Sequence, residues 1–261
     1  MAGAVTRVAL ITGAARGIGA ATVRALTAEG WSVVAVDRAS DDPRLPYPLG
    51  TEAELAALAG DRVATVIGDV ARRETLERAV ALADERFGGL DAVVASAGVI
   101  AGGVPHWEMP PEQVEAVIEV DLLAVMTAAS VGVRALLRRP QPRDGRFIAI
   151  ASAAATRGLP MLAAYCAAKA GVTGLVRALA AELRGTGVTA NAVSPGSTAT
   201  PILDESARLY GLASAAEFAA HQPLDRLLDQ TEVAALIAWL AGPSASGVTG
   251  ANLPVDGGLA I

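Results

Sequence analysis

The segment Thr12–Gly19, with the sequence TGAARGIG, places three glycines between an apolar run and a stretch of helical periodicity. The preceding run Val5–Ile11 is rich in the β-branched and apolar residues that form buried strands. Glycine permits a sharp turn and a close approach of the backbone, and the N–H groups that open the following helix can hold an anion. Such a turn is either a phosphate-binding turn or simply a tight connection between a strand and a helix.

An acidic residue after the next strand-like run favours the phosphate-binding interpretation. The run Trp31–Val36 is followed by Asp37, about twenty residues beyond the glycines, where a carboxylate can bind the hydroxyls of a ribose. The two features together predict a dinucleotide site. Arg38 could hold a 2′-phosphate, but the carboxylate before it would repel that phosphate, so NAD is favoured over NADP. Arg16, inside the glycine turn, could pair with a phosphate or face solvent.

Strand-like runs alternate with stretches of helical periodicity along all 261 residues. This alternation predicts an α/β, single-domain Rossmann fold: a doubly wound seven-stranded parallel sheet with helices on both faces. No linker divides the chain, so one domain is predicted over 1–261, with a substrate lid at about 200–226. The predicted strands are 7–11, 32–36, 62–67, 92–95, 146–151, 189–193 and 252–255, and the predicted helices are 15–29, 74–86, 111–138, 162–183 and 232–241.

Composition excludes several classes of function. The net charge is −6, with 21 basic and 27 acidic residues and no basic stripe, so nucleic acid and anionic membranes are poor partners. Charged or turn-forming residues interrupt every apolar stretch before about 18 residues accumulate, and no membrane span is expected. The single cysteine, Cys166, excludes an internal disulfide framework and is typical of a cytoplasmic protein. His106 and His221 lie far apart, and no metal site is predicted.

Tyr165 and Lys169 form the sequence YCAAK within a predicted helix, where a separation of four residues places them on one face. A free tyrosine loses its proton near pH 10, so it becomes a base at neutral pH only when its pKa falls by roughly three units. One ammonium group at about 4 Å supplies an energy of that order. The pair alone is also common on solvated helices, so its neighbours decide its meaning.

Together these residues resemble the short-chain dehydrogenase/reductase family across essentially the whole chain. The family's glycine motif corresponds to Thr12–Gly19, and its serine stands thirteen residues before the tyrosine, at Ser152. Further correspondences are the acidic residue at Asp37, the pair Asp69-Val70 beside the adenine, the stretch Asn191–Gly196, Thr200 near the nicotinamide carboxamide, and the closing Val255–Gly258. Seven ordered matches at family spacing make this a specific signal.

The resemblance implies an NAD-dependent oxidoreductase that interconverts a secondary alcohol and its ketone. Tyr165 would take the hydroxyl proton, Ser152 would hold the developing alkoxide, and Lys169 would lower the tyrosine pKa and bind the nicotinamide ribose. The alternatives are an NADPH-dependent ketone reductase of the same family and a non-catalytic dinucleotide-binding regulator. The implied cofactor-binding residues are Gly13, Arg16, Gly17, Ile18, Gly19, Asp37, Arg38, Asp69, Val70, Ala97, Gly98, Tyr165, Lys169, Pro195, Gly196, Thr198 and Thr200.

The substrate pocket is expected to be apolar, which favours a hydrophobic alcohol. Its walls are predicted from 153–162, from 99–107 and from the lid, through Leu159, Met161, Ile202, Leu203, Leu209, Tyr210 and Phe218.

Two positions depart from the family pattern. The motif N-N-A-G is A-S-A-G here, at Ala95–Gly98, and the asparagine of the catalytic tetrad is replaced by Asp121. In the family the backbone carbonyl of that asparagine holds a water that relays protons through the lysine, and a carbonyl survives the replacement. An ionised Asp121 beside Lys169 would offset part of the lysine's effect on Tyr165, so an altered pH dependence is expected.

A closer resemblance is to the mycofactocin-associated branch of the family. It is carried by LPYPLGT at 45–51, by HQPLDRLL at 221–228, and by a longer connection between Asp37 and Asp69. In that branch the longer loop, here Ala39–Leu58, covers a tightly held NAD that mycofactocin reoxidises. The family also implies a homotetramer in which Pro111–Arg138 and Leu162–Leu183 pair across a two-fold axis, with Gly250–Ile261 at a second interface.

Overall fold

A seven-stranded parallel sheet forms the centre of the protein, in the strand order β3-β2-β1-β4-β5-β6-β7. The computed structural model describes residues 6–260. Val5, at the start of the first apolar run, and Ile261, at the end of the expected second interface, lie outside that range. The strands are β1 Val8–Thr12, β2 Ser32–Asp37, β3 Val63–Ile67, β4 Ala92–Ala95, β5 Gly145–Ile150, β6 Val188–Pro195 and β7 Asn252–Val255. The predicted Rossmann fold is confirmed, and every predicted strand end lies within two residues of the observed one.

Helices cover both faces of the sheet and bury it completely at its centre. In β1, Val8 and Leu10 pack with residues of α3, α5 and α6, whereas Ala9 and Ile11 pack with residues of α1 and α8. This alternation follows from the period of two along a strand, and burial on both faces explains why the strand is continuously apolar. The helices are α1 Gly17–Ala28, α2 Glu52–Ala56, α3 Arg73–Phe87, α4 Pro111–Ile118, α5 Ala124–Leu137, α6 Ala163–Glu182, α7 Pro201–Leu209 and α8 Gln230–Ala241.

The stretch 111–138, predicted as one α-helix, contains a π turn at Glu119–Leu123 between α4 and α5. Apolar periodicity does not detect a single widened turn, because the residues on either side keep the same buried face. The buried Asp121 lies in this turn. The prediction of an uninterrupted α-helix was therefore wrong at the residue that also departs from the family pattern.

The same helical stretch, Pro111–Leu137, is 27 residues long, and its most apolar 18-residue window has a mean hydropathy of 1.8, so its length and composition would allow it to cross a membrane. Half of its most apolar window is buried inside the protein, as in the core helix of a globular domain. It packs against β4, β5 and α6. Its apolar character is therefore explained by the core.

A crevice opens at the carboxyl end of the sheet between β1 and β4, where the order of the strands reverses. The hydroxyl of Thr12 accepts the N–H groups of Ser96 at 3.1 Å and of Ala97 at 3.2 Å, and so joins the two strand ends. A Cβ on Gly13 would lie 2.6 Å from the Cα of Ala97, so the two backbones are in contact. Ligands of doubly wound sheets bind at this reversal point.

Candidate active site

One cavity of about 540 Å³ extends along this crevice, from Asp37 at one end to Ser152 and Tyr165 at the other. Every residue predicted to bind the cofactor lines it, as does Ser152. Asp121 lies behind the wall, fully buried. The tertiary structure thus brings residues from the whole length of the chain to a single site.

The glycine turn leaves the start of α1 open toward the cavity. Arg16 is the N-cap residue, its side chain makes no capping hydrogen bond, and the first turn contains no acidic residue. A Cβ on Gly19 would lie 2.0 Å from the carbonyl oxygen of Gly13, so only glycine permits this packing. The amino end of α1 is therefore suited to an anionic phosphate.

At the far end of the cavity, both carboxylate oxygens of Asp37 are held by backbone N–H groups. Oδ2 accepts from Ala15 and Oδ1 from Ala39, each at 2.9 Å. Arg38 is not free beside it, since its guanidinium donates to Asp42 at 2.8 Å. A fixed carboxylate with lone pairs to spare fits the hydroxyls of a ribose.

The segment after β6 closes the other side of the crevice. Thr198 donates to the carbonyl of Gly196 and Thr200 donates to the carbonyl of Thr198, each at 3.1 Å. A Cβ on Gly17 would lie 3.6 Å from the methyl group of Thr200, so this segment reaches the glycine turn. Together with Asp37 and the open start of α1, these residues fit an extended dinucleotide.

Ser152, Tyr165 and Lys169 stand together at the apolar end of the cavity. The Ser152 side chain lies beside that of Tyr165 and lowers the tyrosine pKa, and the serine oxygen accepts the N–H of Ala154 at 3.1 Å. Lys169, one helical turn from Tyr165 on α6, donates to the carbonyl of Ile150 at 3.2 Å. Its Nζ lies 5.5 Å from the centre of the Tyr165 ring. These contacts orient all three side chains.

The pKa of Tyr165 is raised above its usual range in this structure. Burial is the main cause, the negative charge of Asp121 adds to it, and the Ser152 side chain opposes it. Burial also raises the pKa of Asp121 to about 6, against the opposing effects of Lys169 and the Val99 N–H. The expected lowering of the tyrosine pKa by Lys169 is therefore overcome within this chain by burial and by Asp121.

Residues 39–51, here called the strap, lie across the site from the end of β2. The hydroxyl of Tyr47 lines the cavity and accepts the N–H of Ile100 at 2.8 Å. The side chains of Leu45, Tyr47 and Leu49 belong to an apolar cluster that includes residues of α4 and α6. The sequence motif at 45–51 marked this segment, but nothing in it indicated that Tyr47 reaches into the site.

Charged contacts fix the strap at both of its edges. The nearly buried Asp42 pairs with Arg38 at 2.8 Å and with Arg44 at 2.7 Å, and Arg44 also pairs with Glu119 at 2.8 Å. Arg16 donates to the carbonyl of Pro48 at 2.6 Å. The sequence left Arg16 between a phosphate and solvent, whereas the structure uses it to hold the strap over the glycine turn.

The segment predicted as a lid forms the outer wall of the cavity. It consists of α7 and a 3₁₀ helix at Ala215–His221, and Tyr210 between them donates to the carbonyl of Pro160 at 2.7 Å. Met161 and Leu209, predicted as wall residues, do not line the cavity. Arg157, which lies in the predicted wall segment 153–162 but was not among its named side chains, lines the cavity, and its guanidinium donates to the carbonyl of Leu259.

Three comparisons with known proteins agree with this architecture. The family model described as enoyl-(acyl carrier protein) reductase matches residues 13–260. The chain is 38% identical to the cis-4-hydroxycyclohexanecarboxylate dehydrogenase of Sinomonas cyclohexanicum, over 97% of this chain and 96% of that protein. It is also 38% identical to the short-chain reductase protein NovJ of Streptomyces niveus, over 96% and 93% respectively. The structure of carveol dehydrogenase from Mycobacterium avium in complex with NAD is similar, with a TM-score of 0.90, 31% identity and 97% of each chain covered.

The fold, the cavity and these relatives define an oxidoreductase built on a single Rossmann domain. The chain belongs to the short-chain dehydrogenase/reductase family. The resemblance inferred from the ordered motifs is confirmed at this level, whereas membership of the mycofactocin-associated branch stays a prediction.

Proposed function

We propose that the protein is an NAD-dependent dehydrogenase that interconverts a hydrophobic secondary alcohol and its ketone. One observation carries the proposal: Ser152 and Tyr165, with Lys169 one turn away, line one end of a cavity that has Asp37 at its other end. This arrangement supplies a proton-transferring hydroxyl, a second hydroxyl donor and a site for a ribose.

Each of the three side chains has a distinct task in this proposal. Tyr165 exchanges the proton with the substrate oxygen, and Ser152 donates a hydrogen bond to that oxygen as charge develops on it. Lys169, held by the carbonyl of Ile150, places a positive charge beside the tyrosine. Bound NAD would accept or return the hydride.

The walls of the substrate end favour a hydrophobic ring alcohol. Leu159, Ile202, Leu203, Tyr210 and Phe218 line that part of the cavity. Two of the relatives are named for ring alcohols, carveol and cis-4-hydroxycyclohexanecarboxylate. Carveol is therefore the first substrate to test. Separately, we propose that the reaction takes place in the cytoplasm.

Replacing Tyr165 with phenylalanine is expected to lower the rate of carveol oxidation with NAD by about 10²- to 10⁴-fold, because the proton-transferring hydroxyl is lost. Hydride transfer is followed by nicotinamide absorbance and NAD binding by calorimetry. The matched control is Cys166→Ala, the next residue of α6, which does not line the cavity. NAD binding by the parent with no hydride transfer to or from any ring alcohol or ketone would instead support a non-catalytic regulator.

The preference for NAD is supported by Asp37 and by the pairing of Arg38 with Asp42. We expect the parent to bind NAD at least about tenfold more tightly than NADP, or about 1.4 kcal/mol, because a 2′-phosphate would meet the Asp37 carboxylate. Asp37→Ala should narrow this difference, and Asp61→Ala, an exposed acidic residue outside the cavity, should leave it unchanged. Calorimetric titration that shows tighter NADP binding by the parent would support the NADPH-dependent reductase.

We further propose that the strap retains NAD and that mycofactocin reoxidises it, as the resemblance to that branch implies. The contacts of Tyr47 with Ile100 and of Arg16 with Pro48 support this proposal, because both must break before the strap can open.

Purified protein should accordingly carry NAD through gel filtration and release it on denaturation. Added NAD should support little steady-state oxidation of carveol unless an artificial electron acceptor is present. Shortening the strap between Asp41 and Pro48 should restore exchange and ordinary NAD-linked turnover, because it removes the anchored segment. Cofactor-free protein that reduces added NAD at steady state without an acceptor would rule out retention and leave the dehydrogenase assignment intact.

A homotetramer is the assembly that we propose. Leu123 and Met126 are 51% and 46% exposed, and they lie on the stretch 111–138 that family members pair across a two-fold axis. Light scattering at micromolar concentration should give the mass of four chains, and Leu123→Glu combined with Met126→Glu should reduce it, because charge would enter a buried interface. A monomeric mass for the parent would contradict this assembly and the second interface at 250–261.

A further inference from the structure

Asp121 is a buried carboxylate to which the proposed function gives no task. It is 0% exposed, and its Oδ1 accepts the N–H of Val99 at 2.8 Å. Within residues 6–260, its Oδ2 has no hydrogen-bond partner, and it lies 3.8 Å from the Nζ of Lys169. Leaving a carboxylate oxygen buried without a hydrogen bond is costly unless an opposite charge compensates it. The Lys169 ammonium is in the position to do so.

The titratable groups that face Asp121 come from two other elements. Lys169 and Tyr165 face it from α6, and Tyr47 faces it from the strap. The segment after β4 contributes only the backbone N–H of Val99. Lys169 is the cation of this group, and the two tyrosines are neutral in their usual protonation state.

Backbone packing holds the carboxylate and the ammonium in place. A Cβ on Gly98 would lie 3.3 Å from Oδ1 of Asp121 and 3.5 Å from Nζ of Lys169, so the backbone of Gly98 lies against both groups. Glu119, in the same π turn, is paired with Arg44 and does not compete for the lysine. The contact between Asp121 and Lys169 is therefore a fixed feature of the site.

This contact changes the charge that Tyr165 experiences. Above a pH of about 6, the pKa to which burial raises Asp121, the carboxyl group is ionised and its charge opposes that of Lys169. The ionised carboxylate, together with burial, raises the pKa of Tyr165. Near neutral pH the site then contains a carboxylate, an ammonium group and an uncharged tyrosine hydroxyl.

We propose that Asp121 moves the onset of alcohol oxidation to higher pH, because its carboxylate balances Lys169 and keeps Tyr165 as a hydroxyl that can donate a proton to a ketone. In this reduction the carbonyl carbon gains a hydride from reduced NAD and the carbonyl oxygen gains the tyrosine proton. Alcohol oxidation reverses both transfers and requires the ionised tyrosine. The inference rests on the proposed function. Asp121 acts through Lys169 and is a positioning residue.

The ionisation of Tyr165 should therefore control the rates of both ketone reduction and alcohol oxidation. Below the pKa of Tyr165, the rate of ketone reduction is independent of pH, whereas the rate of alcohol oxidation falls by about tenfold for each pH unit. Because the same tyrosine serves both reactions, a change in its pKa moves both profiles in the same direction. A role of Asp121 in folding alone would lower both rates and leave both profiles at the same pH.

The experiment measures single-turnover reduction of carvone by protein loaded with NADH, and oxidation of carveol by protein loaded with NAD, from about pH 6 to about pH 10. In the parent, reduction should be flat through the neutral range while oxidation rises with pH. Asp121→Asn should move the rising oxidation profile down by about one pH unit or more, which raises oxidation at neutral pH by about tenfold. Glu115→Gln, an exposed acidic residue of α4, should move neither profile.

Three results would overturn the inference: oxidation by the parent that is already flat at neutral pH, an oxidation profile of Asp121→Asn that is unmoved along the pH axis, or one that is moved to higher pH. The pH dependence of alcohol oxidation by the parent needs no variant, so a flat profile would overturn the inference even if Asp121→Asn does not fold. Ultraviolet titration of tyrosinate, as the difference between each protein and its Tyr165→Phe derivative, needs no substrate. If no ring alcohol or ketone reacts, the proposed function fails, while this titration still shows whether Asp121 holds Tyr165 in its neutral form.

Discussion

The close approach of the β1 turn to the end of β4 is the constraint on which the site depends. Gly13 lies in contact with the backbone of Ala97, and Gly19 lies in contact with the carbonyl of Gly13. The Thr12 hydroxyl completes this arrangement through two backbone N–H groups. Any side chain at either glycine would separate the strand ends, close the start of α1 and remove the anion-binding half of the cavity.

The catalytic half depends on a second close approach, between α6 and the π turn. α6 carries Tyr165 and Lys169 on one face, and the π turn places Asp121 against the lysine. The widened turn places the Asp121 carboxylate on the otherwise apolar buried face of the stretch 111–137. This stretch is long and apolar enough to span a membrane, yet in this fold it lies in the core and holds the Asp121 carboxylate beside the Lys169 ammonium group.

The strap joins the two halves of the site. It starts beside Asp37 and is anchored by the ion pair between Asp42 and Arg44. At its far side, the Tyr47 hydroxyl accepts a hydrogen bond from the N–H of Ile100. The strap and the lid are separate segments of the cavity wall. Opening of the lid alone would exchange substrate and leave the cofactor covered, which is the basis of the proposed retention.

The sequence by itself determined the sheet and the strand ends, because the periodicity of apolar residues distinguishes strands from helices. It also determined the candidate residues Ser152, Tyr165 and Lys169, because the spacing of the motifs along the chain identifies them. It did not indicate the π turn, since a single widened turn leaves the apolar face unchanged. It also could not show that Arg16 holds the strap or that Tyr47 enters the cavity, because these contacts join segments that are distant in sequence. The resemblance to the family already placed Asp121 beside Lys169, but the balance of charge around Tyr165 was decided by tertiary structure, because burial and the distance from Asp121 to Lys169 exist only in the folded chain.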